Sequence, residues 1–276
     1  MLSSSLIDSV DSNGRTPLLW EAMRGDLEAM QNLLDAGANP NARSYDKQTP
    51  IHWAAQAASS SAGLRLLLAR GAEADFVDRF QRTALTYASC NQNDKSYLEP
   101  SVHAHVRINI RDCHDRTPLG YAAKMNRTRS LVYLLEYGAD PHIPDNEGYT
   151  PLLEAVLGNH HGILKILLQR NIVCTAQARG NRSLLHLAAL YGDLRTIQLL
   201  KDASLKNSRT LELDDLGFSP RDLMRRRANP VLALAFDAFL DDLDRQAREV
   251  ETCKSVEGVN EEVGIEEYAA ALEYCV

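Results

Sequence analysis

The chain has 276 residues, 45% of them hydrophobic and only 6% aromatic, with a formal net charge of −7. That is enough apolar material for a sizeable core, and the abundance of Ala and Leu suits small, closely packed helices rather than aromatic-layered sheets. The longest apolar run, VLALAFDAFL from Val231, is ten residues with Asp237 inside it, too short to span a membrane.

The opening MLSSSLIDSV has no basic stretch followed by an apolar run, so no export signal is expected. The five cysteines (Cys90, Cys113, Cys174, Cys253 and Cys275) are odd in number and scattered, which makes no disulfide framework. Free thiols predict a reducing compartment, cytoplasm or nucleus.

From Arg15 onward one phrase recurs: RTPLLWEAM, QTPIHWAAQ, RTALTYASC, RTPLGYAAK, YTPLLEAVL and RSLLHLAAL. Its threonine or serine falls at Thr16, Thr49, Thr83, Thr117, Thr150 and Ser183, in steps of 33 or 34 residues. Each unit starts with a polar loop, such as the Asp-x-x-Gly of Asp11 to Gly14 or Asp145 to Gly148. Thr-Pro follows, because proline at the first helical position has no N–H to lose and threonine can accept an orphan amide. A short helix then carries small residues (Ala54, Ala55, Ala122, Ala123, Ala188, Ala189) that allow a neighbour to come close. A polar turn and a second helix with a Leu-Leu ending complete the unit, closed by left-handed glycines at Gly37, Gly71 and Gly138. One such unit cannot bury both of its helices, so the units must stack.

The T-P-L-H-x-A pattern at this period resembles the ankyrin repeat, over roughly residues 11–240. The resemblance implies an all-α solenoid of stacked helix-turn-helix units, with short β-hairpin-like loops and a C-terminal helical extension. After a lead-in at 1–10, the repeats fall near 11–43, 44–77, 78–111, 112–144, 145–177 and 178–210. A C-terminal cap at 211–240 and an acidic tail at 241–276 follow. Glu21 stands where later repeats place Ala54, Ala88, Ala122, Ala155 and Ala188, so repeat 1 is expected to be the N-terminal cap. AASSSAG in repeat 2 predicts a bulged inter-helix turn, and Pro100 predicts a broken second helix in repeat 3. Repeat 6 lacks both the Asp-x-x-Gly loop and the proline, which predicts a loop of different shape.

Proteins of this kind usually bind partners through the loop tips and the concave face of the first helices. The resemblance therefore singles out Arg15, Arg24, Tyr45, Arg79, Phe80, Arg82, His114, Arg116, Lys124, Tyr149, Arg179, Arg182 and Tyr191. Arginine with aromatics is the composition of interface hot spots. The basic excess predicts an acidic or mixed-charge protein or peptide as partner, for a scaffold or adaptor without cofactor. Residues 241–276 carry 11 acidic and three basic side chains, so this tail is a candidate to dock on the same basic face. Within it, Ile265, Tyr268, Ala269, Leu272 and Val276 recur at helical spacing.

Other chemistries fare worse. Cys90, His103, His105, Cys113 and His114 are the one cluster on which a metal- or thiol-dependent enzyme could be built, but their spacing fits no zinc template. His52 and His186 occupy the T-P-L-H position, where the resemblance implies a bond to loop backbone. Arg225 to Arg227 reads as a solvated helix end, and the overall acidity argues against nucleic acid. The tail has no proline after Pro230 and does not match the Leu-, Pro- and Cys-rich box of ankyrin proteins that recruit ubiquitin ligases.

Overall fold

The Thr-Pro pairs do start helices. The computed structural model describes residues 7–57, 61–91, 106–170, 172, 176–203, 205, 210 and 212–249, and the chain divides into two units at Leu184/Leu185. The first unit holds α1 (Pro17–Arg24), α2 (Leu27–Asp35), α3 (Pro50–Gln56), α4 (Ala62–Ala69), α5 (Ala84–Cys90), α6 (Pro118–Lys124), α7 (Thr128–Glu136), α8 (Pro151–Leu157) and α9 (His161–Gln169). The hydroxyls of Thr16, Thr83, Thr117 and Thr150 accept the amide three residues on, which caps α1, α5, α6 and α8. In α3 the cap is reinforced by His52, whose Nδ1 accepts the Thr49 N–H at 3.1 Å.

The first helices pack in the order α1, α3, α5, α6 and α8, each on the next, while α2 meets α4 and α7 meets α9. Ala54, Ala88, Ala122 and Ala155 are buried at these contacts, and Leu67 and Leu134 are fully buried among the second helices. In the same slot of α1, Glu21 is only half-buried and pairs with Arg24 at 3.3 Å. After α2 the backbone turns left-handed at Gly37 (φ 96°), and the Ala38 N–H reaches the Leu33 carbonyl at 3.0 Å. That double-back satisfies carbonyls the helix end would otherwise leave exposed.

The second unit holds α10 (Leu184–Tyr191), α11 (Leu194–Asp202), α12 (Pro220–Arg225) and α13, which spans 230–249. Ser219 caps α12, and the Asn229 side chain accepts the Leu232 amide at the start of α13. Leu187, Leu200, Met224, Phe236, Phe239, Leu240 and Leu243 form its buried core. Arg227 Nη1 donates to the Gly192 carbonyl at 2.6 Å, tying the α12–α13 turn to the end of α10. The last helix crosses position 241 without a break. Asp242 meets Lys201 at 2.8 Å and Asp241 meets Arg221 at 2.7 Å, so the acidic run begins inside this helix. The expectations for the second helix of repeat 3, for the middle (58–60) of the AASSSAG run at 57–63 and for the tail from 250 onward lie outside the described residues.

Candidate functional site

One aspartate folds each full loop. At Asp11, Asp78, Asp112 and Asp145 the backbone N–H donates to the carbonyl four residues on. The same residue's Oδ1 accepts the amides at positions two and four ahead, at 2.8 to 3.0 Å. In repeat 6 this carboxylate is missing and Ala178 stands in its place. There the Ala178 carbonyl itself accepts the Arg182 amide, and Gly180 and Asn181 both take positive φ, giving a tight hairpin.

Successive tips are tied to one another by main chain. The amides of Tyr45, Arg79, Cys113, Asn146 and Arg179 donate to the carbonyls of Asn13, Asp46, Phe80, His114 and Glu147, at 2.7 to 3.0 Å. Close approach is part of this ladder: a Cβ at Gly148 (φ 83°) would stand 2.5 Å from the Gln177 carbonyl oxygen.

In three of the four loops the second oxygen of the aspartate reaches the first helix of the same repeat. Asp11, Asp78 and Asp112 accept from Trp20 Nε1 (3.0 Å), Tyr87 Oη (2.7 Å) and Tyr121 Oη (2.6 Å), always nine residues on. Burial opposes ionisation of Asp78, yet bonds from Tyr87 and Arg82 hold its pKa below the usual carboxylate value. Burial and then Asp78 push the Tyr87 hydroxyl up to about 12. Repeat 2 has Ser44 in place of the aspartate, and the buried Trp53 Nε1 has no hydrogen-bond partner.

Repeat 5 solves the same problem with charge. Its position nine residues after Asp145 is Glu154, and both carboxylates are buried. Arg116, from the preceding loop, places Nη2 2.6 Å from Asp145 Oδ2 and 3.7 Å from Glu154 Oε1. Lys124 Nζ adds a contact to Glu154 at 3.5 Å. Burial raises the Glu154 pKa, against the pull of Lys124 and Arg116.

These contacts revise the picture of an open basic face. Six of the eight cations singled out are paired with acids of their own or an adjacent repeat: Arg24 with Glu21, Arg79 with Asp46, Arg82 with Asp78, Arg116 and Lys124 with Glu154, and Arg179 with Glu147. Asp78 and Asp145, which fold their loops, are also counter-ions, to Arg82 and Arg116. Arg15 lies over the rings of Trp20 and Trp53, at 5.1 and 5.4 Å. What stands out from the tips is aromatic: Tyr45 is 73% exposed and Phe80 39%. Phe80 is flanked by two guanidiniums, Arg79 at 4.6 Å and Arg82 at 4.7 Å. His114 is exposed, Tyr149 and Arg182 are half-buried, and Tyr191 is exposed at the end of α10 in the second unit. The Asp-to-aromatic spacing of nine residues was the sequence signal that could have exposed the pairing.

The thiol and histidine groups have structural neighbours. Burial pushes the Cys90 thiol up to about 11, which keeps it protonated, and its carbonyl accepts Arg127 Nε at 2.8 Å. Cys113 is exposed at a tip, and among the described residues no three His, Cys, Asp or Glu side chains converge as metal ligands. His103 and His105 lie outside the described residues. His52 Nε2 and His186 Nε2 sit 3.1 Å from the carbonyls of Arg82 and Phe218, each in the loop that follows.

Burial lowers the pKa of both these histidines below the ordinary 6.5, outweighing the bonds that favour protonation. The unfolded chain then binds more protons than the folded one, so the stability they contribute is full above the unfolded value and is lost as pH falls below it. Thermal melts from pH 7.5 to 5.5 are expected to show a falling midpoint, by about 2–4 °C for each kcal/mol lost. The fall is expected to be shallower in His52→Gln; equal slopes would remove His52 as a cause.

Together, fold and site define a repeat-built helical scaffold that holds a row of loop tips in fixed register. The chain belongs to the ankyrin repeat family: the family model "Ankyrin repeats (3 copies)" matches residues 2–75, 56–145 and 133–210. It is similar to human SH3 and multiple ankyrin repeat domains protein 2, at 26% identity over 79% of this chain and 12% of that protein. It is similar also to the mouse B-cell lymphoma 3 protein homolog, at 28% identity over 72% of this chain and 47% of that protein. The chain thus spans less than half the length of these curated relatives. Two solved structures share the fold at a TM-score of 0.68: the ankyrin repeat domain of human ASB11 (23% identity) and that of Bcl-3 (24%). Each likeness covers 82% of this chain, and 98% or 99% of the other. Ankyrin repeats are in general protein–protein interaction modules, and the family is typically non-catalytic. Among the described residues no helix is long and apolar enough to cross a membrane.

Proposed function

We propose that this chain is a non-catalytic recognition module, a scaffold or adaptor, that binds another protein along its loop tips and first-helix face. Binding centres on Tyr45, Arg79, Phe80 and Arg82. The observation that carries the reading is Phe80, held partly exposed between two guanidiniums that are themselves fixed on Asp46 and Asp78. Anchors already locked in place lose little freedom on binding, which favours affinity. Because most cations of this face are neutralised in place, the reading is a partner segment of mixed charge with an apolar or aromatic anchor, not a polyacidic one. The two free thiols, Cys90 and Cys113, support a reducing setting, cytoplasm or nucleus.

The test is affinity capture with the full chain against Tyr45→Ala/Arg79→Ala/Phe80→Ala, with Arg65→Ala/Lys165→Ala on the second helices as control. All five positions are at the surface, so folding by circular dichroism should be unchanged. The expected result is a partner retained by the control and weakened at least tenfold by the triple variant. A partner lost only with the control substitutions would move the binding surface to the second helices.

A further inference from the structure

The last helix of the second unit wears an apolar stripe on its outside. Terminal units of repeat proteins need a polar outer face to remain in solution. On α13, however, Val231 is 64% exposed and Leu234 76%, with Ala238 exposed one turn further on the same side. The opposite side, Leu232, Phe236, Phe239, Leu240 and Leu243, is the buried one. Positions 231, 234 and 238 share one helical face, which continues into the charged Asp241 and Arg245. The apolar character is therefore confined to the first half of the helix.

We propose that the segment 265–276 of this same chain folds back as an amphipathic helix, antiparallel to α13, and covers that stripe. Its sequence has the matching design. Ile265, Tyr268, Ala269, Leu272 and Val276 fall on one helical face, and Glu266, Glu267 and Glu273 on the others. Small residues on α13, Ala235 and Ala238, leave room for the larger Tyr268 and Leu272 to lie close. Charge agrees with the direction: the start of α13 is flanked by the exposed Arg225 and Arg226, next to which the antiparallel arrangement sets Glu273.

Reach agrees too. The described part of α13, 230–249, has 20 residues, about 30 Å of helix. In the antiparallel register Val276 opposes Val231, and Ile265 then lies near position 242. The intervening residues 250–264 have to bridge only about 10 Å back along the helix, a fraction of the largest distance that many residues can span. A tethered segment also acts at millimolar effective concentration, which favours it over a separate molecule.

Cys275 supplies the probe. In the full chain carrying Cys253→Ser, so that no thiol six residues away captures position 247, Val231→Cys is compared with Ala247→Cys, two exposed positions at opposite ends of α13, under mild oxidation. Peptide mass spectrometry then reads the disulfides formed. The docked arrangement is expected to give the 231–275 bridge at least tenfold faster than the 247–275 bridge. Leu234→Asp should slow the 231–275 bridge, and Cys275→Ser should abolish it. An undocked tail reverses the ratio, because position 247 is nearer in sequence, and that result overturns the proposal. A 231–275 bridge formed only between two chains, seen as a dimer on a non-reducing gel, overturns it equally in favour of a second copy on the stripe.

Discussion

Arg116→Ala is expected to destabilise the chain by about 3–5 kcal/mol, the scale for stranding buried charge. The guanidinium is the nearest cation to Asp145 and one of two that reach Glu154, and both carboxylates are buried. Lys124 touches Glu154 alone and from a more exposed position, so it cannot take over both tasks. Urea unfolding of the single variant is to be compared with Arg116→Ala/Asp145→Asn/Glu154→Gln, in which no uncompensated charge is left. The triple variant should recover most of the loss. The single variant should also gain stability as pH falls, since Glu154 already has a raised pKa and protonation relieves the stranded carboxylate. A loss under about 1 kcal/mol would show that the pair is not electrostatically isolated.

Phe236→Ala is expected to cost about 3–5 kcal/mol in the second unit. Its side chain is fully buried on α13 and meets Phe239 edge-to-face at 6.1 Å between ring centroids. Truncation removes both the burial and the ring pair, next to Leu240 and Leu243 on the same helix. Hydrogen exchange should show protection lost across α10 to α13 before it is lost in α1 to α9, as nearest-neighbour stacking implies. Uniform loss over the whole chain would mean that the two units unfold as one.

Much of the architecture was legible because it depends on contacts close in sequence. A Thr-Pro cap acts over three residues, a left-handed glycine over five, and a buried alanine is dictated by the helix beside it. The state of the charges was not legible in this way. Arg116 and Asp145 are 29 residues apart, and nothing near either residue announces the other. Reading Asp145 only as part of a polar Asp-x-x-Gly loop left Arg116 looking unopposed, although one carboxylate oxygen folds the loop and the second neutralises that arginine. The last helix runs through position 241 for a related reason. Composition changes there, but Leu243 keeps the inward spacing of Phe236, Phe239 and Leu240, and spacing outranks charge in deciding where a helix stops.

The ladder between loop tips uses only amide N–H and carbonyl groups. Side chains at Tyr45, Arg79, Cys113, Asn146 and Arg179 are therefore at liberty to be almost anything without loosening the frame that carries them. Proline alone is barred, since it has no hydrogen to give. The molecule thus separates its vocabulary from its grammar: five adjacent sites can be rewritten for a new ligand while the sentence structure stands.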